Sequence, residues 1–165
     1  MNNNNNLGFS LTELLIVLAI VAIVATIGIP SFNERIRSNN IGTVKDTLVT
    51  ALSFARTEAI IRGNDVSLGQ QTSSTSNWTN IAAYIDNNNS NDFDSNDTLI
   101  GSWPTAFNPD TLKIDSTGTN FEFKASGEAN ADELTICYKN TAGEGQKVTV
   151  LASGLIATEE VVCVI

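Results

Sequence analysis

Leu7-Gly8-Phe9-Ser10-Leu11-Thr12-Glu13 opens into Leu14-Leu-Ile-Val-Leu-Ala-Ile-Val-Ala-Ile-Val-Ala25, and this stretch decides the fold. Every residue from Leu14 to Ala25 is Leu, Ile, Val or Ala, and only Thr26 and Gly28 interrupt before Ile29 and Pro30. Phe9 to Ile29 is 21 residues, a helix of roughly 30 Å at about 1.5 Å per residue, which is one bilayer core. A secretory signal has a shorter apolar region, a small-x-small cleavage site behind it and no acid at its front. Here the one plausible processing point precedes the apolar run, so the helix would stay on the mature chain.

Glu13 is the anomaly in that run. A carboxylate in the apolar layer costs about 2.5–3.5 kcal/mol on insertion scales, less near the interface, so a retained one asks for a partner. The nearby sequence offers no cation except an α-amine on Phe9, were the chain cut there.

These residues resemble the type IV prepilin signature: Gly, Phe, a Glu five residues after the cut, and a hydrophobic helix ending near a Pro. The resemblance implies that a membrane peptidase cuts between Gly8 and Phe9 and that Phe9 is N-methylated. It also implies that Glu13 is an assembly determinant, pairing with the amine of a neighbouring subunit when the helix leaves the bilayer for a helical bundle. The leader carries no Lys or Arg and Arg35 and Arg37 follow the span, so the positive-inside bias does not set the orientation. A body in the periplasm is implied by the resemblance alone.

The apolar pattern continues past Pro30. Phe32, Ile36, Val44, Leu48, Leu52, Ala55 and Ala59 recur mostly at spacings of four, with Glu34, Arg35, Arg37, Lys45 and Asp46 on the other sides. This predicts one helix from about Ser10 to Arg62, with Gly63 as its stop and Gly28, Pro30 and Gly42 as places for a bend. Its first half would lie in the membrane and its second half would pack on the body as an amphipathic core helix. Beyond Asn64 the pattern turns to eight short strands: Asp65–Leu68, Ile81–Ile85, Thr98–Trp103, Thr111–Ile114, Asn120–Lys124, Glu133–Tyr138, Lys147–Leu151 and Val161–Ile165. Ser-Ser-Thr-Ser-Asn (73–77), Asn-Asn-Asn-Ser-Asn (87–91) and Gly-Glu-Gly (143–145) read as loops. The expected fold is α+β: a long N-terminal helix packed on an antiparallel sheet or sandwich. The expected organisation is a leader over 1–8, an assembly helix over 9–30, its amphipathic continuation over 31–63, and a β-rich domain over 64–165.

Ala55-Arg56-Thr57-Glu58-Ala59, then Arg62 and a Val-containing strand, is similar to the helix-to-strand junction of the GspH/FimT branch of minor pilins and pseudopilins. Arg56 and Glu58 are expected as polar contacts where helix meets body. The resemblance implies a minor subunit that helps initiate or cap a type IV pilus or a type II secretion pseudopilus. Its partners would be other minor and major pilins or pseudopilins, the prepilin peptidase and the inner-membrane assembly platform. A pseudopilin dedicated to secretion and a DNA-uptake pilin are the alternatives. Some members of the branch bind DNA through Gly-Arg-x-Arg near the C-terminus, but the matching place here reads Gly154-Leu155-Ile156-Ala157 with Glu159 and Glu160 following. From Asn64 onward eight Asp and six Glu face four Lys, a balance that repels phosphate backbones. Direct nucleic-acid binding is therefore not expected.

No catalytic residue or cofactor is expected: the chain has no His and none of the nucleophile-elbow, zinc-protease or phosphate-loop motifs. Asp86 to Asp97 places oxygen side chains at positions 1, 3, 5, 9 and 12 of a calcium loop, with Asn at 6 and Asp at 12 in place of Gly and Glu. Calcium is thus an open alternative to a plain polar hairpin loop. Cys137 and Cys163 lie on apolar strand-like stretches expected outside the cytoplasm, and a disulfide between them is predicted, with two buried thiols as the rival.

Overall fold

The computed structural model describes 9–71, 78–105, 107–116, 118 and 120–164, without the side chains of 27–31. Two compact units divide the chain after Ile36. A single helix assignment, α1 (Leu11–Arg62), contributes to both.

In the first unit, Ser10 starts the helix: its carbonyl receives the Glu13 and Leu14 amides at 3.1 and 3.2 Å. Glu13 sits in the first turn, where a carboxylate complements the positive end of the helix dipole. The described Leu, Ile and Val side chains from Leu11 to Val24 are exposed on every side of the helix. None of the unit's described residues covers them.

The second unit, from Arg37, is the body. Its eight strands are β1 (Val66–Gln70), β2 (Asn80–Ile85), β3 (Thr98–Pro104), β4 (Leu112–Ser116), β5 (Asn120–Phe123), β6 (Asp132–Tyr138), β7 (Gly143–Val150) and β8 (Ile156–Cys163). They form two antiparallel sheets, in the orders β3-β2-β1-β5 and β4-β6-β7-β8. The α+β expectation is met. Helix residues Ile41, Val44, Leu48, Ala51, Leu52, Ala55 and Ala59 are buried at the three- and four-residue spacing of one helix face. They share one core with Val66 and Leu68 of β1, Phe121 and Phe123 of β5, Leu134 and Ile136 of β6, and Val148 and Val150 of β7. Each large apolar side chain here contributes about 1.5–3 kcal/mol by burial.

The expected stripe began too early. Phe32 is 65% and Ile36 44% exposed, and continuous burial starts at Ile41. A heptad-like spacing says which residues share a face, not where the covering sheet begins. On the exposed flank, Thr43, Thr47, Thr50, Ser53 and Thr57 each donate their hydroxyl to the carbonyl four residues back, so those polar groups are satisfied within the helix. The stop is as expected: Gly63 takes φ of 64° and its amide bonds the Ala59 carbonyl at 3.0 Å, an αL end that suits Gly.

The strands fall where expected to within a residue or two at most ends, but two start well before the sequence reading. β7 begins at Gly143 and β8 at Ile156, each several residues before its expected start. Gly-Glu-Gly (143–145) is paired strand, opposite Val161 to Cys163 of β8. The loop expected over 73–77 lies outside the described residues.

Candidate functional site

Gly8, on the amino side of the expected cut, lies outside the described residues, as does the rest of the 1–8 leader. Phe9 is exposed ahead of the helix. Glu13 is exposed one turn in and makes no ion pair with any described residue. Among the described residues no helix is long and apolar enough to cross a membrane. The described side chains there stop at Thr26, and the end of the expected span, 27–30, falls outside them.

Arg56 and Glu58 behave differently from each other. Arg56 Nε donates to the Gly127 carbonyl and a terminal guanidinium nitrogen donates to the Ser153 carbonyl, both at 3.1 Å. One helix side chain thus ties down the β5–β6 connection, from one sheet into the other, and the β7–β8 turn. Gly127 and Gly154 take φ of 83° and 76°, and a Cβ on Gly154 would overlap the Gly127 carbonyl oxygen and lie 2.8 Å from Arg56 Nε. The turn that carries Gly154-Leu155-Ile156-Ala157 is therefore packed around an arginine from the helix, while Leu155 faces solvent. Glu58 instead pairs along the helix with Arg62 at 2.6 Å, an exposed i,i+4 pair of small energetic weight.

Cys137 and Cys163 form a disulfide, with Cα atoms 5.9 Å apart. The bridge joins β6 to β8, which are not neighbours: β7 runs between them. Gly145 makes that possible. A Cβ on it would overlap Cys163 Sγ and lie 2.7 Å from the Ile136 carbonyl oxygen and 3.2 Å from Cys137 Sγ. The sulfurs occupy the place of a β7 side chain. The sequence signal was present in Gly-Glu-Gly but reads equally well as a loop.

The Asp86–Asp97 loop spends its carboxylates on itself. Asp86 accepts the amides of Asn88, Ser90 and Asn91. Asp97 accepts those of Asn87 and Asp94. Asp94 accepts the Asn96 amide and the Asn88 side chain, bonds that hold its carboxyl below the usual carboxylate range. Among the described residues no cluster of three or more metal-ligating acidic, His or Cys groups is arranged to hold an ion. The spacing that matched a calcium loop serves a network of Asx turns. Phe93 of this loop packs on Tyr84 with ring centroids 5.2 Å apart, and burial, with Asp86, Asp97 and Asp92 nearby, pushes the Tyr84 phenol up to about 12 although Asn120 opposes it.

At the other end of the body, Arg37 stands over the Tyr138 ring at 5.6 Å and Asn40 donates to the Tyr138 hydroxyl at 3.0 Å. Sequence reasoning assigned none of these three a role. On β7, Lys147 bridges Glu133 and Glu159 of the flanking strands at 2.7 and 3.4 Å, which raises its pKa, Glu133 contributing most.

Comparison with known proteins places these features. The family described as type II transport protein GspH matches 46–154, more than half of the chain, and the prokaryotic N-terminal methylation motif matches 3–29. No curated protein matches the sequence. Among solved structures, the type IV minor pilin FimU of Pseudomonas aeruginosa is similar with a TM-score of 0.59 at 16% identity, over 74% of this chain and 90% of that one. The minor pseudopilin EpsH from the type 2 secretion system of Vibrio cholerae has a TM-score of 0.43 at 15% identity, over 68% of this chain and 95% of that one. An N-terminal methylation motif, a helix that runs into two antiparallel sheets and a family match across the body agree: the chain belongs to the GspH family of type IV pilin-like minor pilins and pseudopilins.

Proposed function

We propose that this chain is a minor subunit that helps initiate or cap a type IV pilus or a type II secretion pseudopilus. The observation that carries the reading is the helix from Leu11. It exposes apolar side chains all round and has in its first turn a carboxylate that forms no ion pair with any described residue, inside a matched methylation motif. An all-apolar surface needs lipid or other helices around it. The precursor sits once through the inner membrane over 9–30 with its body in the periplasm. The prepilin peptidase cuts between Gly8 and Phe9, Phe9 is methylated, and the assembly platform moves the subunit into a bundle of pilin helices. There Glu13 meets the α-amine of a neighbour, where low dielectric strengthens the pair.

The protein acts by assembly and not by catalysis. It does not contact nucleic acid directly: the Gly154 turn carries Leu155 and Ala157 where the DNA-binding pattern has Arg, and the body is strongly acidic. The GspH family match favours a pseudopilin dedicated to secretion as the second reading. Deleting the gene separates the two, since loss of surface pili and loss of secreted enzymes are different phenotypes. The assembly role is tested by Glu13→Val. That variant inserts as well as wild type, because its span is more apolar, yet loses cross-linking to partner subunits. Wild-type cross-linking would overturn the charge-pairing account.

A further inference from the structure

Each sheet ends in two edge strands, and a free edge is a row of unpaired amides and carbonyls that another strand can join. Three of the four edges are blunted. β3 ends in Pro104, and its pairing with β2 shifts register between Ala83 and Tyr84. β5 has four residues and is closed by the chain that follows it, where the Asn130 amide bonds the Glu122 carbonyl and Phe123 bridges Ala129. β4 has five residues and exposes Lys113 and Asp115. β8 has none of these devices except acids. It runs for eight residues without Pro or Gly, pairs with β7 in unbroken register, and has no described strand on its other side.

The β7–β8 turn fixes which groups that edge presents. The Leu151 amide bonds the Leu155 carbonyl and the Gly154 amide bonds the Leu151 carbonyl, so Leu151 and Leu155 form a bonded pair. Bonded and unbonded pairs alternate along an antiparallel ladder. Ala157, Glu159, Val161 and Cys163 therefore turn their amides and carbonyls to β7, while Thr158, Glu160 and Val162 turn theirs outward. The side chains of those last three are also exposed, Val162 at 82%. Lys147 answers Glu159, whereas Glu160 forms no ion pair with any described residue. The Cys137–Cys163 bridge pins the far end of the strand, so little ordering is left to be done when another strand arrives.

We propose that the free edge of β8 takes up an extended strand from the body of a neighbouring filament subunit. That strand carries Lys or Arg opposite Glu160 and an apolar side chain opposite Val162, two residues away on the same face. That the partner is a subunit rests on the filament reading. Backbone hydrogen bonds supply the attachment, and the alternate side chains select the partner. A second copy of this chain does not fit. Full-length antiparallel self-pairing of β8 sets the glutamates of the two strands opposite each other, where like charges repel, and from Asn64 onward eight Asp and six Glu face four Lys.

The test is photo-cross-linking of the full chain in its own cells, with benzoylphenylalanine at Val162 and, in parallel, at Val17 of the N-terminal helix. The result expected at Val162 is an adduct that mass spectrometry maps to an extended segment of another N-methylated subunit. Thr158→Pro removes an outward amide that β7 does not use, a position where an edge strand tolerates Pro, and should cut the adduct about tenfold. Glu160→Lys should cut it about fivefold. Both variants should keep the disulfide and melt close to wild type in detergent; if Thr158→Pro melts early, Glu160→Lys alone decides. An adduct with a second copy of this chain, an adduct with a protein that is no filament subunit, or a yield untouched by Glu160→Lys would overturn the proposal. Adducts at Val17 with none at Val162 would overturn it and leave the filament reading standing, whereas adducts at neither position would overturn both.

Discussion

Breaking the Cys137–Cys163 bridge should lower the melting temperature of the body by about 10–15 °C. The bridge closes a loop with a sequence separation of 26, which in the chain-entropy argument constrains the unfolded chain by about 3.5 kcal/mol. For a body of this size each kcal/mol is worth roughly 3–5 °C. Two perturbations separate the cross-link from the packing of its atoms. Dithiothreitol on the wild type leaves every sulfur in place, whereas Cys137→Ala with Cys163→Ala also removes the buried Cys163 thiol, which is only 5% exposed. The double variant should therefore melt about 3–5 °C lower than the reduced wild type, for roughly one kcal/mol of lost packing. Near-ultraviolet circular dichroism in detergent follows the transition, because Trp78 is buried beside Phe121 and Trp103 meets Phe54 edge-on. Gly145→Ala completes the test. Its methyl meets Cys163 Sγ in the oxidised protein, so it should cost more there than in the double-alanine background, with a coupling above about 1 kcal/mol. A shift below about 2 °C on verified full reduction, or additive effects of Gly145→Ala, would refute the picture of a strap across β7.

Arg56→Ala strands the Gly127 and Ser153 carbonyls and should cost roughly 2 kcal/mol by thermal melting. Gly154→Ala, at φ of 76° and against the Gly127 oxygen, should cost about 3 kcal/mol or more, and a neutral result for either would remove the clamp from the account. Alkaline titration should show stability falling between the ordinary phenol range and about 12, the value of folded Tyr84. The unfolded chain releases that proton first, so the contribution is complete below the unfolded pKa and is lost as pH rises through the folded one. Tyr84→Phe should flatten this limb in pH-dependent melting, and an unchanged limb would contradict the assignment.

The local pattern carried most of the fold. Helix limits, the Gly63 stop and all eight strands follow from periodicity and turn residues, because each is decided by neighbours within a few positions. What depends on distant partners did not follow. The pairing of β5 with β1 in place of its sequential neighbours β4 and β6, the division of the strands between two sheets, and the exposure of Phe32 and Ile36 are set by which surfaces meet. Trp78 and Phe107 are buried from irregular segments, where no period announces them. Gly143 and Gly145 were the clearest loss, since a strand with room for a disulfide above it looks like a turn when read along the chain. At the candidate sites, Glu13 and the two cysteines were legible because an acid in an apolar run and a pair of cysteines are rare enough to need explaining.

The central claim is that the N-terminal helix belongs to a processed, methylated filament subunit. Intact mass spectrometry of the protein extracted from the membranes of its own cells tests it most directly. The account predicts a chain that begins at N-methylated Phe9, retains Glu13 and everything after it, and carries one disulfide. Gly8→Ala should leave the longer precursor. A mature chain that begins beyond Pro30, or one that keeps the five-asparagine leader in assembled material, would contradict it.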